Sequence, residues 1–185
     1  MELVRPSLDY ADGYADALRR GWSPNTERDV SAEELAELTK DRDAFLAGLD
    51  DRDPRGRTVT LPDGSQVPRL PAFTRWMWDG EFCGSVNVRW RPGTTDLPPT
   101  CPGHMGYTVV PWKRRRGYAT QALGLMLRLV AAETGLPWVA ITTDPENVAS
   151  QKVIEANGGE LVETFDRDAA SGGGPALRYR VVLTG

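Results

Sequence analysis

The chain has 185 residues, 40% of them hydrophobic and 26% charged, which suits one folded domain with a sizeable core and excludes wholesale disorder. Its formal charge of −4 gives no overall attraction to nucleic acid or to an anionic membrane. Two cysteines and one histidine are too few for a disulfide framework or a zinc site, and no apolar run approaches the length of a bilayer span.

Residues 2–5 suit a short strand and residues 8–20 a helix, since Leu8, Ala11, Tyr14, Ala15 and Leu18 recur at helical spacing, with Gly13 weakening the pattern. Ser31 and Glu34 form a capping-box pattern. The helix they start runs through Leu35, Leu38, Phe45, Leu46 and Leu49 until Asp53-Pro54 stops it. Strands at 57–61 and 66–70 flank the turn Pro62-Asp63-Gly64, and strands at 72–78 and 81–90 flank Asp79-Gly80, a strong hairpin signal. Alternation of Phe82, Gly84, Val86, Val88 and Trp90 predicts one buried face. Residues 91–103, with four prolines, read as a loop.

The last third alternates strand and helix: strand 104–110, helix 119–134, strand 138–142 and helix 147–156, closed by Asn157-Gly158-Gly159. Strands at 160–165 and 177–183 follow, joined by residues 169–175. This order predicts an α/β (α+β) fold in which helices pack on a sheet containing parallel pairs. No repeat or composition break divides the chain, so residues 1–185 are expected to form one domain.

Between the strand at 104–110 and the helix at 119–134 stands Val109-Val110-Pro111-Trp112-Lys113-Arg114-Arg115-Arg116-Gly117-Tyr118-Ala119-Thr120. A strand that enters a helix through a glycine turn aims free backbone N–H groups outward at the positive end of the helix dipole. With four cations beside it on an acidic protein, this turn suits a small anionic ligand such as a phosphate. The plainer reading is a solvated cationic surface.

Arg114-x-x-Gly117-x-Ala119 resembles the pyrophosphate-binding signature of the GNAT acetyltransferases, Gln/Arg-x-x-Gly-x-Gly/Ala. A second stretch, from Ile141 through Asn147-x-x-Ser150 to Asn157-Gly158-Gly159, resembles the GNAT segment in which a strand ends and an Asn opens the next helix. The resemblance covers about residues 57–165. It implies a mixed, mostly antiparallel sheet with helices on both faces and two central strands splayed apart, and acetyl-CoA as co-substrate without a metal. Residues 1–56 would then be a helical acceptor-side region and 166–185 a loop and final strand. By position, backbone groups of Val109 and Val110 would meet the pantetheine and acetyl carbonyl. N–H groups of Arg115, Arg116, Gly117, Tyr118, Ala119 and Thr120 would meet the pyrophosphate, with Arg114 opening the motif. Asn147 would contact the pantetheine or pyrophosphate, although as an N-cap it already stabilises its helix by about 1 kcal/mol.

The resemblance implies direct attack of a primary amine, of a small molecule or a protein, on the thioester. Many relatives carry a Tyr acid seven residues after the Asn; here Ile154 stands there, with Ser150 and Tyr118 as weak substitutes. His104 is the candidate base, because relatives frequently place a Glu near it and imidazole titrates near 6.5. The alternative for His104 is a loop end. Glu81 reads as solvated and Cys83 as a core thiol. Trp76, Trp78, Trp90 and Trp112 suit core positions or an acceptor pocket, and Glu33, Glu34, Glu37, Asp41 and Asp43 suit a solvated helix face or attraction of a cationic amine. A catalytically silent coenzyme A-binding module is the competing reading, supported by the missing Tyr. A nucleic-acid or membrane partner is not expected. The N-terminus has no apolar signal region, so a cytoplasmic protein is expected, and dimerisation is common among relatives.

Overall fold

The computed structural model of the chain describes residues 1–26, 28–60, 64–167 and 173–183. Its centre is a sheet in the order β1 (Glu2–Val4), β5 (Ala72–Trp78), β6 (Phe82–Arg89), β7 (Met105–Val109), β8 (Trp138–Thr143), β10 (Pro175–Val182) and β9 (Gly159–Asp166). A two-residue strand, β2 (Asp50–Asp51), also pairs with β5. All pairs are antiparallel except β7 with β8, which meet in parallel at the single position Met105 and Ile141. The parallel content expected from strand–helix alternation is thus reduced to one contact, because β10 returns antiparallel onto β8.

That one contact opens the sheet. His104 N–H donates to the Ala140 carbonyl at 2.8 Å, and beyond Met105 the two strands have no further register. The central strands therefore splay toward Val109 and Thr143.

Helices cover both faces. On one, α4 (Tyr118–Thr134) and α5 (Val148–Glu155) press Ala122, Leu123, Met126, Val130 and Ile154 onto Met77, Val86, Val88, Met105, Val139 and Ile141. On the other, α1 (Leu8–Arg19), α2 (Ser31–Lys40) and α3 (Arg42–Gly48) surround Trp76, Phe82 and Val110. Tyr14 of α1 stacks on Trp76 at 4.7 Å between ring centres. Consequently β6 is buried on both faces over most of its length rather than on one.

Two N-terminal expectations change. The helix beginning at Ser31 stops at Lys40, and Asp41 starts a new one by accepting the Ala44 N–H on its carboxylate at 2.9 Å. The capping box does not form: Val30 is the N-cap, and Glu34 instead accepts the Tyr14 hydroxyl. The strands β3 (Thr58–Thr60) and β4 (Gln66–Pro68) make a separate hairpin off the main sheet. Its turn at Pro62-Asp63 lies outside the described residues, as does most of the connection at 169–175. Among the described residues no helix is long and apolar enough to cross a membrane.

Candidate active site

The basic turn lies where β7 ends. A 3-10 turn at Pro111–Lys113 follows Val110, and the chain then takes left-handed backbone at Arg115 (φ 61°) and at Gly117 (φ 75°), the N-cap of α4. Left-handed backbone strains a side-chain-bearing residue, so Gly117 is suited to its place by conformation. A Cβ built there would meet nothing within 4 Å, so the space in front of the turn is open. The first bond inside the helix is Gln121 N–H to the Gly117 carbonyl at 3.0 Å. The N–H groups of Tyr118, Ala119 and Thr120 thus precede any partner within the helix and point out of its positive end. Successive amides around left-handed residues form a concave anion nest, and the exposed Arg114, Arg115 and Arg116 surround it.

Lys113, read with these cations as a ligand-facing charge, lies elsewhere. It is buried, and its Nζ stands 2.9 and 3.1 Å from the two Asp79 oxygens and 2.8 Å from Glu81. Tyr118 donates its hydroxyl to Asp79 Oδ2 at 2.5 Å, which fixes the first residue of α4 to the β5–β6 turn. Burial would raise the Asp79 carboxyl, but the bonds from Tyr118 and Lys113 outweigh it and hold the group far below the usual carboxylate range. The Cys83 thiol behind them is pushed up to about 12, by burial first and by Asp79 second, so it is a core thiol and no nucleophile.

The end of β7 faces the splay with its backbone. Val110 N–H is bonded to the Cys83 carbonyl at 2.9 Å and its carbonyl accepts Lys113 N–H at 3.0 Å, so both of its backbone groups already have partners within the protein. Backbone groups of an antiparallel strand alternate sides, so Val109 N–H points the other way, into the gap toward β8. The Val109 carbonyl accepts Arg114 Nε at 3.2 Å. Gly84 on β6 permits this packing, since a Cβ there would lie 2.2 Å from the Thr108 carbonyl.

Across the gap, Asn147 caps α5 by accepting Ser150 N–H at 3.0 Å. Ser150 Oγ lies 2.8 Å from the Tyr107 hydroxyl, which also donates to the Ser150 carbonyl at 3.2 Å. Burial raises the Tyr107 hydroxyl to about 12 against the opposing effect of Ser150. Ile154 is fully buried in the α4–α5 core. Asn157 is more than a helix stop: its amide donates to the carbonyls of Thr120 and Val153 at 3.1 and 2.8 Å, tying α5 to the first turn of α4.

His104 departs most from its assigned role. It lies at the closed end of the splay, 1% exposed, with Nδ1 accepting the Ala140 N–H at 3.0 Å. Burial first and Arg89 second lower it to about 4. Its acceptor nitrogen is therefore occupied and its charged form disfavoured, the reverse of what a base needs. Trp22, which no sequence pattern singled out, donates Nε1–H to Thr108 Oγ1 at 3.3 Å on the α1 face. Trp76 and Trp90 are core residues, Trp78 is half-buried, and Trp112 carries the Arg20 guanidinium 3.4 Å above its ring. Among the described residues no group of acidic, histidine or cysteine side chains could hold a metal.

A family model described as an acetyltransferase (GNAT) domain matches residues 31–160. The fold is similar to that of Mycobacterium smegmatis RimJ in complex with CoA-disulfide, at 17% identity and a TM-score of 0.67 over 97% of this chain and 80% of that one. It is similar to RimL, a ribosomal L7/L12 alpha-N-protein acetyltransferase in complex with coenzyme A, at 12% identity and a TM-score of 0.60 over 98% and 93%. A third similar fold is the microcin C7 self-immunity acetyltransferase MccE in complex with acetyl-CoA and AMP, at 12% identity and a TM-score of 0.59 over 98% and 91%. No curated protein matches the sequence.

Proposed function

The chain belongs to the GNAT acetyltransferase family and is an acetyl-CoA-dependent acyltransferase, and from that premise we propose that it acetylates a primary amine by direct attack in a ternary complex. The observation that carries this reading is the left-handed turn at Arg115–Gly117, which sets the unpartnered amides of Tyr118, Ala119 and Thr120 beside the open end of the β7–β8 splay. The turn fits a pyrophosphate: it is concave, cationic and open in front of Gly117. Arg114 acts through its side chain, bracing the Val109 carbonyl. Asn147 acts as the cap that presents Ser150.

Bound there, acetyl-CoA supplies a thioester whose C–S bond breaks as the neutral amine nitrogen forms its bond to the carbonyl carbon and releases one proton to solvent, which balances the proton gained by the departing sulfur. Val109 N–H, aimed into the gap, is the donor placed to stabilise the developing oxyanion. Ser150 and Tyr107 form a hydroxyl pair on the opposite wall, suited to returning a proton to the departing sulfur where Ile154 offers none. That pair supports an active enzyme over a silent coenzyme-binding module.

Calorimetry with coenzyme A and acetyl-CoA, followed by an amine panel scored by thiol release, tests the reading. Gly117→Val is expected to weaken coenzyme binding by more than about tenfold, while its left-handed strain costs about 1–2 kcal/mol of stability. Unchanged affinity in that variant, or no heat with either coenzyme in the parent, overturns the assignment.

A further inference from the structure

On the α1 face of the central sheet, the side chains of β5, β6 and β7 lie in rows. Cross-strand register places Trp76, Ser85 and Thr108 in one row and Thr74, Asn87 and Gly106 in the next, with Arg89 two residues beyond Asn87 on the same face. The residues between them, such as Val86, Val88 and Met105, point to the other face and fill the α4–α5 core. The first row is roofed: Trp76 and Ser85 are buried, and Thr108 takes the Trp22 indole N–H. The second row is not, since Thr74, Asn87, Gly106 and the neighbouring Arg89 are all only half-buried.

Two of these side chains hold donors that the protein does not use. Arg89 Nη2 donates to Asn87 Oδ1 at 3.2 Å. A guanidinium only donates, so the amide turns its oxygen to Arg89 and its Nδ2 is left over. Asn87 Nδ2 and the remaining Arg89 side-chain N–H groups have no partner among the described residues, and Arg89 makes no ion pair there. Both groups stand beside Gly106, whose missing side chain leaves them uncovered: a Cβ there would lie 3.6 and 3.7 Å from the Asn87 amide atoms and 3.8 Å from Arg89 Nη2.

The strip leads toward the reacting atoms. Buried Leu123, Met126 and Ile154 close the α4–α5 face, so a thioester held in the β7–β8 gap is open to an acceptor from the α1 face. Gly106 lies three residues before Val109, roughly 10 Å along an extended strand. We propose that this strip is the floor on which the acceptor lies, and that Arg89 and Asn87 select an acceptor carrying a carboxylate roughly 10 Å from its amine. The inference deepens the acetyl-transfer reading and rests on it for the place of the amine. Two planar donors side by side, one of them charged, match the two oxygens of a carboxylate. In an extended peptide that distance from the α-amine falls at the second or third side chain.

Calorimetry with the peptide amides Ala-Asp-Ala and Ala-Ala-Asp, each against its Asn counterpart, measures the selection, with and without saturating coenzyme A. In at least one pair the Asp peptide is expected to bind about tenfold more tightly, the scale of one charge-assisted hydrogen bond. That difference is expected to vanish in Arg89→Gln and to survive in part in Arg89→Lys, which keeps the charge and loses the planar fork. Equal affinities in both pairs, no binding of any peptide, or an undiminished difference in Arg89→Gln each overturns the inference. The comparison in the parent needs no variant, so a misfolded Arg89→Gln leaves the decision with the Asp and Asn pairs. Thiol release is scored separately: transfer to Asp and Asn peptides alike removes the selection and keeps the acetyl-transfer reading. Selective peptide binding with no heat from either coenzyme removes that reading and keeps the selection.

Discussion

Asp79 joins three parts of the molecule through one carboxylate. It receives Lys113 from the turn and Tyr118 from the first residue of α4, and it belongs itself to the β5–β6 hairpin. Its side chain is 15% exposed and that of Lys113 10%, so the pair is shielded from solvent, whereas Glu81 on the same ammonium is 74% exposed. Removing one partner of a shielded pair leaves the other uncompensated. Asp79→Ala is therefore expected to lower the unfolding free energy by about 2 kcal/mol, against less than about 0.5 kcal/mol for Glu81→Ala. Urea denaturation measures both, and equal effects would show that Asp79 does not hold the turn. A run of four cations states nothing about this division of labour. Lys113 differs from Arg114, Arg115 and Arg116 only because the 3-10 turn rotates it inward onto a hairpin 34 residues earlier. The motif's glycine was legible, since its backbone demand is local, and the fate of Lys113 and His104 was not, since both depend on strands far away in sequence.

At the level of elements, β7 and α5 are linked mainly through Tyr107 and Ser150, across the gap that the coenzyme would enter. Tyr107→Phe removes the hydroxyl, keeps the ring in the core, and should lower kcat by about tenfold or more with little change in KM for acetyl-CoA, if the pair returns the proton. A rise in KM with kcat retained would instead make the link a positioning contact. Elements with strong local signals were visible in the chain: α4 and the hairpin at Asp79-Gly80 fall within a residue or two of expectation. The break between α2 and α3 was hidden because Leu35, Leu38, Phe45 and Leu46 keep an apolar pattern across it, while Asp41 turns the backbone extended (φ −155°, ψ 97°). The capping box failed for a tertiary reason, since Glu34 is drawn to Tyr14. The splay was an expectation of family resemblance alone, because a single bridged position leaves no trace in hydrophobic pattern.

For the molecule as a whole, acid response follows from which groups are hidden. His104 is held near 4 by burial and by Arg89, while in the unfolded chain it titrates near 6.5. The unfolded state therefore binds the extra proton first, so stability contributed by the neutral ring is full above pH 6.5 and is lost as pH falls toward 4. Asp79, Asp50, Asp53, Asp29 and Glu33 are all lowered, so their contributions hold down to the ordinary carboxylate range and disappear only below about pH 4.5. Glu34 runs the other way: burial raises it, so its contribution is present in acid and is lost as pH rises through its folded value. A Glu34→Gln background isolates the histidine. In it, the unfolding free energy is expected to rise by about 1–2 kcal/mol between pH 5 and pH 6.5, less than a whole proton would give because the unfolded histidine is half-protonated at the upper end. Urea titrations at several pH values give the slope, and the imidazole signal of folded protein gives the midpoint. A folded midpoint near 6.5 with a flat stability profile would mean that His104 is solvated rather than held neutral by its burial between β7 and β8.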